Sequence, residues 1–150
     1  MSNRVKITNY LIEQLKYING DVSPYDSTYL FKSNVHDNVS NRELFFDEIH
    51  DFPSLFVVSP IEERQYNSKE STKAIIQSII RVYLHSDELE KAKEDIIEDI
   101  IHVIYNMTDP DVSYELQQVT IESIEKDSGI LKPYGIVEVI LKIELGLLKI

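Results

Sequence analysis

Cysteine and tryptophan are both absent from this 150-residue chain. Without cysteine it forms neither disulfides nor thiolate metal centres. Glycine is scarce, and Gly20, Gly129, Gly135 and Gly146 stand alone, so no P-loop or dinucleotide fingerprint can be drawn. No serine sits in a Gly-x-Ser-x-Gly elbow. No apolar run is long enough to span a bilayer. The opening MSNRVKITNYLIEQLKYING alternates polar and apolar residues and lacks the apolar core of a signal peptide, which reads as a cytoplasmic protein. Basic residues are outnumbered, 15 against 26 acidic, for a net charge of −11. They are scattered, so a role in gripping phosphates is disfavoured. Repulsion has its own use, however: an acidic lumen keeps passing DNA from sticking.

What is present fits one globular domain. Hydrophobic residues make up 43% of the chain. A chain of this length buries about 68–70% of its unfolded surface, enough for an ordinary core. Residues 3–18 read as an amphipathic helix, with Val5, Ile7, Leu11, Ile12, Leu15 and Ile18 near one stripe and Gly20 placed to end it. Residues 21–51 are irregular, with one short strand candidate at 29–35. Residues 54–58 read as a buried strand stopped by Pro60, and residues 60–72 as a polar loop. Residues 73–85, rich in β-branched side chains, read as a longer strand pairing with the first.

A long acidic helix follows, over residues 87–105. Ser86 and Asp87 are suitable N-caps, and Glu90 completes a capping-box pattern with Asp87. Its stripe is Leu89, Ala92, Ile96, Ile100, Val103 and Met107, and the opposite face is assigned Glu90, Glu94, Asp95, Glu98 and Asp99. Pro110 bars continuation. Residues 116–125 alternate with one irregularity, and Asp127-Ser128-Gly129 is turn chemistry. Residues 136–145 then alternate well, and Val137, Val139, Leu141, Ile143 and Leu145 are assigned to the core. Residues 146–150 look frayed or paired with a neighbour. The expected fold is α+β: a four-stranded, mostly antiparallel sheet, two helices on one face, and a long loop or arm after the first helix. The uncovered sheet face would mark an interface.

Candidate chemistry is thin. Asp47, Glu48, His50 and Asp51 gather potential metal ligands, but their spacing fits neither tetrahedral nor EF-hand sites, and a solvated acidic loop is the better reading. Asp99 and His102 stand at i, i+3 with Glu98 beside them; a di-iron bundle needs that motif from two helices, so ordinary ion pairs on a polar face are expected. Carboxylates occur in exposed runs rather than as an acid–base pair. The nine tyrosines are dispersed, as suits either a half-buried core or an interface. No enzyme activity and no cofactor are expected.

Phe52-Pro53-Ser54-Leu55-Phe56-Val57, with Ile61-Glu62 downstream, resembles a segment of the tail-terminator proteins of long-tailed bacteriophages. There, a Phe-Pro-led strand runs into a loop bearing a Glu. The following strand, the helix 89–105 with its Glu-Asp-Ile repeats, and the strand 121–125 leading into Lys126-Asp127-Ser128-Gly129 are similar too. The likeness covers most of the chain and is weakest in residues 21–51. It implies a structural virion protein that caps the tail tube and joins the tail to the head or neck. The implied assembly is a homomeric ring, usually a hexamer, with a lumen that passes DNA. Implied partners are other copies, the tail tube protein, a neck or connector protein and, for residues 21–51, the tail sheath. The implied location is the virion tail, assembled in the host cytoplasm, with no membrane. Subunits would meet side to side through the loop 61–72 and the sheet edges. Glu62, Glu63, Arg64 and Tyr66 are the expected interface or lumen residues. The alternatives are a neck or head–tail connector protein, or a small acidic protein-binding module.

Overall fold

Two apolar periodicities, one helical and one of period two, resolve into two helices on a five-stranded sheet. The computed structural model describes residues 2–43, 45–66, 72–107 and 114–147. Helix α1 spans Asn3–Leu15, where Ser2 caps it by accepting a hydrogen bond from the Val5 amide at 3.2 Å. Ile7, Leu11 and Leu15, four apart, form its buried line. The helix ends three residues before the expected boundary. Gly20 does take the left-handed conformation (φ +77°), but in the turn that follows rather than at the helix end.

Residues 29–35 are not a strand. Only two isolated bridges form, Asn19–Asn34 and Val22–Leu30, because local side chains claim the backbone donors: Asp26 accepts from the Thr28 amide at 2.9 Å and Asn19 from the Asp21 amide at 3.0 Å. Strand β1 (Val39–Ser40) then pairs parallel with the start of β2 (Ser54–Tyr66). This fifth, parallel strand makes the sheet mixed rather than four-stranded and antiparallel. Strand β3 is Thr72–His85, helix α2 is Leu89–Asn106, β4 is Tyr114–Lys126 and β5 is Tyr134–Leu147. The sheet order is β1-β2-β3-β5-β4, and the four long strands pair antiparallel throughout.

Pro60 does not stop β2. It sits in a bulge between Val58 and Ile61, on an edge where a missing N–H costs no ladder bond, and the strand runs on to Tyr66. The expected loop 60–72 is therefore strand over 60–66 and at 72; residues 67–71 lie outside the described residues. Two further bulges, after Leu116 and after Ile121, account for the irregularity in β4. Residues 146 and 147 complete β5, and 148–150 lie outside the described residues. At the start of α2 the capping box is absent. Glu88 is the N-cap residue, without a side-chain bond, while the Ser86 hydroxyl accepts from the Glu88 amide at 3.0 Å.

Both helices pack on one sheet face. Leu55 and Val57 of β2, the even-numbered Ala74, Ile76, Ile80 and Val82 of β3, and Val137 through Leu145 of β5 join α1 and α2 in one core cluster. The bulge turns Ser59 into this layer opposite Ser78. Its hydroxyl is satisfied at 2.8 Å by Ser78 and at 2.8 Å by Thr8, which itself donates to the Arg4 carbonyl at 2.8 Å. At the start of β5 the backbone passes close beneath α2. A Cβ at Gly135 would lie 2.9 Å from both Leu89 Cδ1 and Lys93 Cε. Gly135→Ala is expected to destabilise by about 1–3 kcal/mol, read as a lower urea midpoint at unchanged m-value.

Two charges lie inside the structure. Asp99, assigned above to the solvent face of α2, is 0% exposed. Its carboxylate accepts from Tyr29 Oη at 2.8 Å, from the Lys32 amide at 3.1 and 3.0 Å and from the Ser33 amide at 2.7 Å, tying residues 29–33 to the helix. His102, one turn on, stacks on Tyr29 with centroids 3.9 Å apart, and its Nε2 is 2.7 Å from Ser23 Oγ. Asp99 and His102 thus hold the 21–35 segment rather than forming surface ion pairs. Lys93, also 0% exposed, places Nζ 2.7 Å from Asp127 Oδ1 and 3.3 Å from Glu90 Oε1, tying α2 to the β4–β5 turn.

Candidate assembly surface

The sheet face opposite the helices divides into two halves. At one end Phe46, Ile49 and Phe52 cover Phe56, Val58, Tyr83 and Ile136. Beyond them the face is bare, and it is mixed rather than apolar. Ile61, Ile75, Ile79 and Ile140 alternate with charged side chains, since the central strands place every second residue here. Lys73 pairs with Glu144 at 3.1 Å, Arg81 with Glu138 at 3.0 Å and with Glu43 at 3.1 Å, and Lys142 with Glu144 at 3.6 Å. Hydrogen bonds with Tyr83, and the carboxylate of Glu138, raise the Arg81 pKa above its ordinary value and leave its charge permanent.

The bare half is concave. A hollow of about 320 Å³ is lined by Ile61, Glu63 and Gln65 from β2, Ile75 and Gln77 from β3, Lys142 from β5 and Glu122 from β4. One hollow reached by all four long strands requires the sheet to curl toward this face. At the sheet edges, β1 covers β2 only at Leu55 and Phe56. Among the described residues, no strand flanks β2 over 61–66 or the outer side of β4.

Of the four residues singled out from the sequence, all lie on this free stretch of β2, but on two faces. Pairing with Ile76 and Ala74 puts Glu62 and Arg64 on the helix side, where they meet at 2.9 Å with Arg4 3.9 Å from Glu62. Tyr66 shares that side and is 75% exposed. Glu63 faces the concave side with Ile61 and Gln65. Missing from that selection are Gln77, Glu122 and Lys142, whose membership of the same face depends on strand order and on the β4 bulges.

Among the described residues, no group of three or more His, Asp and Glu side chains is arranged to hold a metal ion, and no helix is long and apolar enough to cross a membrane. In the 47–51 segment, Glu48 is engaged by Arg42 at 3.1 Å and by the Phe45 amide at 3.4 Å, while Asp47, His50 and Asp51 are exposed.

Comparison with known proteins agrees with this architecture. The tail tube terminator protein p142 of Escherichia phage T5 is 27% identical over 151 residues, covering 93% of this chain and 91% of that protein. A chain from the virion of a native gene transfer agent (GTA) particle superposes with a TM-score of 0.50 over 73% of this chain and 78% of that one; at 9% identity this is a likeness of fold alone. The profile of the Bacteriophage Tail Tube Terminator Protein family matches residues 1–146. With that match running over nearly its whole length, the chain belongs to the bacteriophage tail tube terminator family and is a structural component of a virion tail.

Proposed function

We propose that this protein caps the finished tail tube as a homomeric ring, usually of six copies, and joins the tail to the neck with a lumen through which DNA passes. It acts without catalysis, and the ring assembles in the host cytoplasm before entering the virion. The observation that carries the reading is the one-sided layering: every helix lies on one sheet face, and half of the other face is bare, curled and ion-paired. A net charge of −11 suits a channel that repels DNA rather than holding it. Light scattering and negative-stain microscopy of the protein, alone and with purified tail tubes, test this reading. Rings at tube ends support it, and a monomer that never binds tubes overturns it.

The residue assignment has its own test. Glu62→Lys places a third cation beside Arg4 and Arg64, and Glu63→Lys reverses a charge on the concave face. The double variant is expected to fold but to lose at least about tenfold in ring formation or tube binding, measured by sedimentation. Unchanged assembly would remove these two residues from the contact surface.

A further inference from the structure

We infer that the ring closes by strand pairing: residues 61–66 of β2 pair antiparallel with β4 of the next copy, so that all the sheets merge into one closed barrel with the helices outside and the bare face lining the channel. This inference rests on the ring reading above and adds the contact, its polarity and the direction in which the sheet faces.

Polarity comes first. Between β2 and β4 lie three antiparallel steps, β2–β3, β3–β5 and β5–β4, so the two outer strands run in opposite directions. Rotation about a ring axis roughly along the strands preserves strand direction. Each β2 therefore meets the neighbouring β4 antiparallel, and the alternation continues around the ring. The contact is heterologous, the kind that closes into rings.

Edge availability is the second argument. The first part of the β2 edge is occupied by β1, with the Leu55 amide bonded to the Asn38 carbonyl at 2.8 Å. Residues 61–66 pair without interruption with β3 on their inner side, and no described strand lies on their outer side. On β4 the bulges leave regular stretches at 118–121 and 123–126. A long free edge of this kind invites pairing with any strand, and full closure is the arrangement that removes it.

Curvature and space fix the facing. The hollow reached from all four long strands curls the sheet toward its bare face, as the inside of a barrel requires. Four strands spaced about 4.8 Å apart give roughly 19 Å of circumference per copy, hence a radius of about 18 Å for six copies before strand tilt widens it. A helix layer about 10 Å thick on the inside would leave a passage too narrow for a DNA duplex. With the helices outside, the wall presents Glu63, Glu122, Glu138 and Glu144, and its Lys73, Arg81 and Lys142 are each engaged by a carboxylate.

The chain has no cysteine, so engineered pairs report cleanly. Cysteines replace Ile61, Glu63 or Gln65 on β2, each combined with one replacing Gln118, Thr120 or Ser123 on the same face of β4. After oxidation, at least one double variant is expected to give a non-reducible-by-heat ladder ending at the ring size on a denaturing gel, while every single variant stays monomeric. Amide hydrogen exchange in 61–66 and 118–126 of the unmodified protein should slow at least about tenfold on assembly. Rings that form on tubes with no cross-linking pair and unchanged exchange overturn the strand contact and leave the ring reading standing. Dimers from a single β4 cysteine overturn it too, in favour of a two-fold contact. No ring on tubes and no cross-link overturn both.

Discussion

Asp99→Ala is expected to destabilise the protein by about 3–5 kcal/mol, among the largest single losses available in this fold. The substitution leaves three donors inside the structure without an acceptor: Tyr29 Oη and the amides of Lys32 and Ser33. Each such group costs about 1–3 kcal/mol when stranded, and the costs are not fully additive. Urea unfolding measures the loss, and proteolysis should cut first within 21–35. Burial raises the Asp99 pKa above the usual carboxylate range, against the lowering effect of the hydrogen bonds from Lys32, Tyr29 and Ser33. The folded chain therefore holds this proton more tightly than the unfolded chain. Its contribution is greatest below the unfolded pKa of about 3.9 and declines as pH rises through the folded value. Asp99→Asn, which keeps one acceptor oxygen, should lose less stability and flatten that decline.

Lys93→Ala should cost a similar amount, about 3–5 kcal/mol, because it opens a void under Gly135 and leaves Asp127 without its cation. Lys93→Met keeps the volume and should recover part of the loss; adding Asp127→Asn should recover more, a coupling that a double-mutant cycle reads directly. Burial acts to lower the Lys93 pKa, but the hydrogen bonds to Asp127 and Glu90 outweigh it and hold the value above that of a free lysine. The stabilisation is therefore complete below the unfolded pKa of about 10.4 and is lost as pH rises through the folded value. Asp127 titrates at the other end of the range. Burial acts to raise its pKa and the Lys93 hydrogen bond brings it below normal, so its contribution holds above about 3.9 and fades as pH falls through the folded value. Urea midpoints measured from acid to alkaline pH should show both shoulders in the native chain and lose the alkaline one in Lys93→Met.

Much of this architecture was legible in the residues. Strict alternation over 136–145 identified the buried face of β5, and the stripe from Leu89 to Met107 located α2, because period two and period 3.6 are direct consequences of backbone geometry. The two inner charges were legible as well, yet were read by type instead of position. Lys93 lies four residues from Leu89 and three from Ile96, on the apolar stripe itself, and Asp99 lies three from Ile96 and four from Val103. Pro60 misled because proline ends a central strand, and only the sheet order reveals that β2 is nearly an edge there. Strand β1 carried no signal: two residues paired through their backbone leave no periodicity. Of the four assembly residues, the common location on β2 followed from the sequence, but the division between two faces depended on the bulge, which inverts the alternation after Val58.

That two-residue strand has a consequence out of proportion to its length. A neighbouring chain sliding along β2 could halt at several registers, each shifted by two residues and each bonding almost equally well. Any shift would raise the next copy along the axis, turning a flat ring into an open spiral that grows without limit. By occupying Leu55 and Phe56, β1 acts as an end-stop: a chain that slides too far collides with it, and the step per copy is held near zero. Planarity of the assembly would then be set by Val39 and Ser40, two residues that no partner touches.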